Sequence, residues 1–225
     1  MVDEVYFGRS CRVLYTLNPP SAQSAAPLNR GESMVFGYNR RFMEIFEACK
    51  PKRVLVIGGG VFTLPSEMVS QSGDVVVTAI EPEKMLIKIA KKHFNFQETE
   101  RLKVVTDFGG SFLKQDSSVY DLIILDAFSG NRIASEIIGS DFALLLKEHL
   151  SDNGLVGVNV ISNLETGSIL SRIKNNYEKQ LAYTAIYAAE TTLSMYLHAD
   201  NYILLASQKR LPRLNLSTER VHIRI

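Results

Sequence analysis

The chain has 225 residues, of which 25 are basic and 24 are acidic, so its formal net charge is +1. This length fits one domain with at most a short appendage, and its core needs no disulfide support. The balanced charge argues against nucleic acid as a partner, because nucleic-acid-binding domains usually carry a basic excess.

Cysteine usage and hydropathy exclude several further classes. Cys11 and Cys49 have no CxxC spacing and do not cluster with histidines, so we expect reduced thiols and no metal site. No apolar run approaches the ~18 residues of a membrane span. The first residues, Met1–Glu4, are acidic and start no apolar signal core. We therefore predict a cytoplasmic protein with no membrane partner.

Residues 1–37 are predicted to form a short N-terminal extension with some β structure. We expect a strand over Arg12–Thr16, and the proline-containing stretch Asn18–Ser24 is expected to be a turn or mobile loop. Apolar residues at helical spacing predict an amphipathic helix over Tyr38–Ala48, ended by Pro51. The adjacent arginines Arg40 and Arg41 are interpreted as a surface pair, with contact to an anionic acceptor as the alternative.

Residues 38–225 are predicted to form one Rossmann-like domain, in which short apolar runs alternate with helical patterns. Strands are expected over 53–57, 75–80, 102–106, 120–126 and 154–160, with helices over about 64–71, 84–94 and 135–150. Continuous apolar strands are typical of a parallel sheet that is buried on both faces. The alternation therefore predicts a doubly wound α/β sheet with right-handed crossovers.

The C-terminal part departs from this alternation. After a helix over about 166–179, strands are expected over Ala182–Tyr187, Ser194–Leu197 and Tyr202–Ser207. The last two strands leave little room for a helix between them. We therefore expect about seven strands in all, the last ones antiparallel, as in methyltransferase-type sheets and unlike dehydrogenase sheets.

A glycine-rich turn carries the clearest ligand signal. Gly58, Gly59 and Gly60 follow the first buried strand directly, and Glu81 follows the second. Glycines at such a turn let the backbone approach a nucleotide, and an acid after the next strand can accept hydrogen bonds from ribose hydroxyls. The alternative interpretation is an ordinary strand-to-helix turn followed by a solvated loop acid.

Four stretches in this order resemble the spermidine synthase-like (polyamine aminopropyltransferase) family, within the S-adenosylmethionine-dependent methyltransferase fold. They are RVLVIGGG at 53–60, VTAIEPE at 77–83, VTDFGGSFL at 105–113 and YDLIILDAFSG at 120–130. The resemblance runs from about Tyr38 to Asn159. It implies S-adenosylmethionine or its decarboxylated form as co-substrate, no metal, a small-molecule acceptor and a homodimer.

The resemblance also implies roles for individual residues. Gly58, Gly59, Gly60 and Glu81 would bind the co-substrate, with Asp107 and Phe108 on its adenine side. Asp126, at the end of the fourth parallel strand, would handle the proton of the attacking amine. The remaining two residues, Tyr38 and Ser129, would contact the acceptor. Simpler roles stay open, namely a turn for Asp107, a cap or loop for Asp126 and core packing for Tyr38.

Three positions depart from the family pattern. The family has acids where this chain has Val61, Ser129 and Arg40. Cationic amines are costly to remove from water unless carboxylates face them. The sequence therefore leaves three functions open. The first is aminopropyl transfer to an amine, the second is methyl transfer to a small molecule, and the third is adenosyl-ligand binding without catalysis.

Overall fold

The structure is a computed structural model that describes residues 1–6, 8–17, 20–29, 32, 34–129, 132–190, 200–214, 216 and 220–223. Its centre is an eight-stranded sheet. In chain order, the strands of this sheet are β4 (Arg53–Ile57), β5 (Val76–Ile80), β6 (Leu102–Val105), β7 (Tyr120–Leu125), β10 (Leu150–Ser162), β11 (Tyr183–Ala188), β12 (Asp200–Ser207) and β13 (Arg220–Val221). Their spatial order is β13-β11-β12-β10-β7-β4-β5-β6.

Helices cover both faces of this sheet. They are α1 (Gly37–Cys49), α2 (Thr63–Gln71), α3 (Lys84–His93), α4 (Gly109–Gln115), α5 (Ser140–Glu148) and α6 (Ile169–Tyr177), with a 3₁₀ turn over Ser135–Ile138. One apolar cluster packs α5 and α6 against the sheet, and a second packs α1, α2 and α3 against its other face. The side chains of Leu122–Leu125 in β7 are fully buried between the two layers. None of the described helices is long and apolar enough to cross a membrane.

Two smaller sheets complete the described part of the chain. Strands β1 (Val2–Tyr6), β2 (Arg9–Leu17) and β3 (Pro20–Pro27) form an antiparallel sheet, and β8 (Phe128–Ser129) pairs with β9 (Arg132–Ile133) in a short hairpin. The three-stranded sheet contacts the central sheet's helices through polar bonds. The Arg12 guanidinium donates to the carbonyl of His93, and the Thr63 hydroxyl donates to the carbonyl of Ala25.

The predicted fold class is confirmed. Strands β10, β7, β4, β5 and β6 run parallel, and β12 is antiparallel to both of its neighbours, β10 and β11. The expected strand over Ser194–Leu197 lies outside the described residues. The division of the chain at residue 37 stays a prediction.

Two local predictions were wrong. The loop expected over Asn18–Ser24 is largely strand β3, which begins at Pro20, because pairing with β2 overrides the weak strand propensity of these residues and proline is tolerated at a strand's first position. The single helix expected over 135–150 is a 3₁₀ turn and then α5, and Leu150 already belongs to β10. The backbone is extended at Gly139, where φ is −79° and ψ is 152°. This residue separates the 3₁₀ turn from α5.

Candidate active site

A cavity of about 420 Å³ lies at the carboxyl edge of the central sheet. Because parallel strands all end at this edge, the residues that follow β4, β5, β7 and β11 meet there. Strand β12 runs the opposite way, so its first residues, Asp200 and Asn201, lie at the same edge. The small N-terminal sheet also contributes to the wall, with Ser24 and Ala25 among its lining residues.

The glycine-rich turn lies in the wall of this cavity, and two of its glycines need their residue type. Gly58 has φ of +96°, and a Cβ there would lie 2.3 Å from the backbone oxygen of Asp126. Gly60 has φ of +53°, and a Cβ there would lie 2.6 Å from the hydroxyl of Ser24. A side chain at either position would be strained, so glycine is what allows this turn to pass so close to β7 and β3.

Glu81 is held against this turn by backbone donors. Its Oε2 accepts from the N–H of Gly60 at 3.1 Å and its Oε1 from the N–H of Glu83 at 3.0 Å. Burial raises the pKa of the Glu81 carboxyl, and the backbone hydrogen bonds oppose that rise. An ionised carboxylate offers about four lone-pair sites, so these two bonds leave acceptor capacity for a further hydroxyl.

Asp126 lies at the centre of a polar network. Its Oδ1 accepts from Nδ2 of Asn159 at 2.7 Å, and the Tyr38 hydroxyl is also hydrogen-bonded to its carboxylate. Burial raises the pKa of Asp126 to about 7, while the bonds from Asn159 and Tyr38 lower it. A carboxyl that titrates near neutrality suits general acid–base chemistry.

Tyr38 stands beside Asp126 on the first turn of α1. Burial, the Asp126 charge and the hydrogen bond to Asp126 all raise the pKa of the Tyr38 phenol well above its ordinary value. The hydroxyl therefore stays protonated and acts as a donor at neutral pH. Tyr38 lines the cavity, which favours the predicted contact with a ligand over core packing alone.

Two of the predicted site residues lie away from the cavity lining. Asp107 follows β6, and its Oδ1 accepts from the N–H of Phe108 at 2.8 Å, while the side chain of Phe108 is 67% exposed. Neither residue lines the cavity. Their place on the adenine side stays a prediction. Ser129 pairs with Arg132 in the β8–β9 hairpin, and its predicted contact with the acceptor is likewise untested.

Sequence reasoning missed two acids that line the cavity. Glu190 follows β11, and Asp200 begins β12. Neither belongs to any of the four motifs, although each is an acid next to an apolar run and could have been found by placing the last strands in the sheet. With Glu81 and Asp126, four carboxylates line the cavity, and its described lining contains no Lys, Arg or His.

The interpretation of Arg40 and Arg41 as a surface pair was wrong. Arg41 is only 6% exposed. Arg40 is half-buried on α1 and donates to Oε1 of Glu190 at 2.6 Å and to the carbonyls of Met34 and Val35 at 2.7 Å each. These bonds hold the start of α1 beside Glu190. The positive charge of Arg40 also partly neutralises the Glu190 carboxylate.

The described residues form no recognisable metal site. Within those ranges, no three His, Cys, Asp or Glu side chains come together in a group that could hold a metal ion. Cys11 is buried and Cys49 is half-buried, and neither is in a disulfide. The absence of a metal from the reaction stays a prediction.

Comparison with known proteins places this geometry in a family context. The sequence profile of the Spermine/spermidine synthase domain family matches residues 36–216. The polyamine aminopropyltransferase of Vibrio vulnificus (strain CMCP6) is 29% identical over 116 residues, which are 50% of this chain and 39% of that protein. The chain thus spans half or less of the length of the first curated relatives that it matches.

Solved structures share the fold. A probable spermidine synthase from Corynebacterium glutamicum ATCC 13032 superimposes with a TM-score of 0.72 and 20% identity, covering 88% of this chain and 72% of that one. A spermidine synthase in complex with the transition-state analogue AdoDATO superimposes with a TM-score of 0.65 and 16% identity, covering 88% and 74%. At these identities the likeness establishes the fold alone.

Proposed function

The chain belongs to the Spermine/spermidine synthase domain family, and on that basis we propose that it transfers an aminopropyl group from decarboxylated S-adenosylmethionine to an amine. The polyamine aminopropyltransferases among its relatives and the structural neighbour bound to AdoDATO support this proposal. The activity would reside at the carboxyl-edge cavity and would be exerted in the cytoplasm.

The charge of the cavity is the observation that carries the proposal. Its described lining holds four carboxylates, those of Glu81, Asp126, Glu190 and Asp200, and no basic side chain. A sulfonium donor and an ammonium-bearing acceptor gain from carboxylates in a partly desolvated site. The carboxylate of intact S-adenosylmethionine would meet like charges there. The lining therefore favours the decarboxylated donor.

The donor would lie along the glycine-rich turn. Gly58, Gly59 and Gly60 would let it approach the backbone, and Glu81 would accept from its ribose hydroxyls. The apolar side chains of Val61 and Leu86 line the same cavity and would shield the sulfonium end from water. The adenine would extend toward Asp107 and Phe108.

Transfer would proceed by direct displacement at carbon. The amine nitrogen attacks the propyl carbon bonded to sulfur, the C–N bond forms, and the C–S bond breaks with its electron pair going to sulfur. The products are the alkylated amine and 5′-methylthioadenosine. The sulfonium is already a good leaving group, so the protein's main task is to align the reactants and to take up the amine proton. Asp126 would take up that proton, since its pKa of about 7 keeps a large share ionised at neutral pH.

Two observations favour a second candidate, methyl transfer to a small molecule. The Arg40 guanidinium partly neutralises Glu190, and Val61 is apolar where the family has an acid, so the demand for a cationic acceptor is weaker than in the family pattern. In that reaction, Asp126 would bind the methionine ammonium or the acceptor.

A homodimer is likewise proposed from the resemblance alone.

A turnover assay tests the proposal. The purified protein is incubated with decarboxylated S-adenosylmethionine or, in parallel, with S-adenosylmethionine, each with a panel of diamines, polyamines and other small acceptors. Mass spectrometry then quantifies 5′-methylthioadenosine, S-adenosylhomocysteine and the alkylated acceptor. Equal amounts of 5′-methylthioadenosine and the aminopropylated amine support aminopropyl transfer. Formation of S-adenosylhomocysteine from S-adenosylmethionine with no such products would support methyl transfer. Turnover of neither donor would indicate a binding protein without catalysis.

A further inference from the structure

Two amide side chains extend the network around Asp126 along the wall of the cavity. Asn159 is 2% exposed in strand β10, within an apolar run, and Asn201 lies on the neighbouring strand β12. Asn159 pairs directly with Ile203, which is two residues from Asn201 on β12. Asn201 is therefore the diagonal neighbour of Asn159 on the same face of the sheet. A buried amide costs free energy unless its polar atoms are bonded. The side chain of Asn159 must therefore be satisfied by its neighbours, which are Asn201 and Asp126.

The hydrogen bonds between them run in one direction. Nδ2 of Asn201 donates to Oδ1 of Asn159 at 2.8 Å, and Nδ2 of Asn159 donates to Oδ1 of Asp126 at 2.7 Å. Because Asn201 occupies the carbonyl oxygen of Asn159, the NH₂ group of Asn159 is the end presented to Asp126. Tyr38 supplies a second donor to the same carboxylate from α1.

We propose that Asn159 and Asn201 are positioning residues, which form a directional amide relay that orients the Asp126 carboxylate and holds it in its ionised form. The proposal rests on the function proposed above, since it assigns the relay a part in proton uptake by Asp126. Asn159 acts on Asp126 directly. Asn201 acts through Asn159, because its side-chain NH₂ group donates to the Asn159 oxygen.

Other charged groups face the same cavity and must be considered. They are Glu81 after β5, Glu190 after β11 with its partner Arg40 on α1, and Asp200 at the start of β12. The hydrogen bonds that lower the pKa of Asp126 come from Asn159 and Tyr38. Loss of the relay therefore removes one of the two hydrogen bonds that lower the pKa of Asp126.

The deciding variant is Asn201→Asp. A carboxylate at position 201 accepts hydrogen bonds and cannot donate, so Asn159 would turn its NH₂ group toward it and its oxygen toward Asp126. Asp126 would then be favoured in its protonated form. We expect its titration midpoint and the acidic limb of the kcat profile to move up by about one pH unit, the size typical of a lost hydrogen bond or a new like charge. At pH 7 kcat would fall several-fold, and it would recover toward the wild-type value at high pH.

Asn201→Leu separates the relay from simple charge. Leucine has a similar size, adds no charge and removes the donor to Asn159. If the relay exists, the titration midpoint of Asp126 rises in Asn201→Leu as well, but by less than in Asn201→Asp. If Asn201→Leu matches the wild type in both titration and pH profile, the shift in Asn201→Asp comes from the new charge alone and the relay is overturned.

The titration is read without substrate, which separates this inference from the proposed function. The Asp126 carboxyl carbon is followed by ¹³C NMR in the free protein and assigned by its absence in Asp126→Asn. Circular dichroism checks that each variant is folded. A shifted midpoint in a protein with no aminopropyl transfer would support the relay and refute the function. Unshifted midpoints in folded variants would overturn the relay, whatever the activity.

Discussion

The amide nitrogen of Asn159 lies 2.7 Å from a carboxylate oxygen of Asp126, and this bond joins strand β10 to the end of strand β7 in the wall of the cavity. It keeps a buried carboxyl able to ionise, because the bond offsets part of the cost of burial. Asp126 therefore titrates with a pKa of about 7, in the range where a proton can be both accepted and released. The chemistry proposed for this site depends on that balance.

Replacement of Asp126 by asparagine tests its role as the proton acceptor. Asparagine keeps the size and can still accept from Asn159, but it cannot take up a proton. We expect kcat to fall by about 10²- to 10⁴-fold with little change in donor affinity, as is typical when a general base is removed. Steady-state kinetics and calorimetry measure the two quantities.

Asp121→Asn is the matched control for that variant. Asp121 lies at the other end of the same strand, where it accepts hydrogen bonds from the backbone of Lys52 and Arg53 and from Ser151. We expect Asp121→Asn to lower stability, because these bonds are weakened, and to leave kcat within about twofold of wild type. Full turnover in Asp126→Asn would rule out the assigned role.

The stability of the protein should depend on the ionisation of Asp126. Its pKa is about 7 in the folded protein against 3.8 ordinarily, so between these values the folded state holds a proton that the unfolded chain has released. The contribution of Asp126 to stability therefore falls as pH rises from about 4 to about 7 and is constant above that. Urea unfolding at pH 5 and pH 8 measures this. The free energy of unfolding should fall less between the two pH values in Asp126→Asn than in wild type. Equal declines would show that Asp126 does not titrate in this range.

Gly58 should tolerate no side chain. Alanine at this position has an unfavourable positive φ and would place Cβ 2.3 Å from the Asp126 backbone oxygen. We expect a loss of about 1–3 kcal/mol in unfolding free energy and weaker donor binding. Gly73→Ala is the control, because nothing lies within 4 Å of its Cβ position. Thermal unfolding and donor titration measure both effects, and unchanged donor affinity in Gly58→Ala would show that the turn does not contact the donor.

Glu190 should influence the acceptor more than the donor. Glu190→Gln removes a carboxylate from the cavity lining and breaks the ion pair with Arg40. We expect the acceptor KM to rise about fivefold, equivalent to about 1 kcal/mol for a partly exposed charge. Glu178→Gln is the control, because Glu178 pairs with Lys174 outside the cavity lining. An unchanged acceptor KM would place the acceptor away from Glu190.

Much of the fold followed from the sequence because the parallel strands contain short apolar runs, and a glycine or a polar residue follows each run. The carboxyl ends of such strands must meet at one edge of the sheet. The sequence alone therefore predicts that Gly58, Glu81 and Asp126 lie together at this edge. Strand β3 could not be predicted, because Ala22 and Ser24 become extended through pairing with β2 rather than through their own propensity.

The other half of the cavity depends on long-range pairing. Glu190, Asp200 and Asn201 reach the site only because β12 inserts antiparallel between β10 and β11, and no local motif records this insertion. Asn159 did leave a local signal, as a single amide in an apolar strand. Its partners could not be named without the register that brings Asn201 beside it.

The central claim is that this cavity selects a cationic donor that lacks a carboxylate. It is tested most directly by calorimetric titration of the purified protein with decarboxylated S-adenosylmethionine and, in parallel, with S-adenosylmethionine. The two ligands differ in one carboxylate, which the acidic lining would repel. We predict at least about tenfold tighter binding of the decarboxylated form, equivalent to about 1.4 kcal/mol. Equal or tighter binding of S-adenosylmethionine would contradict the claim and favour methyl transfer.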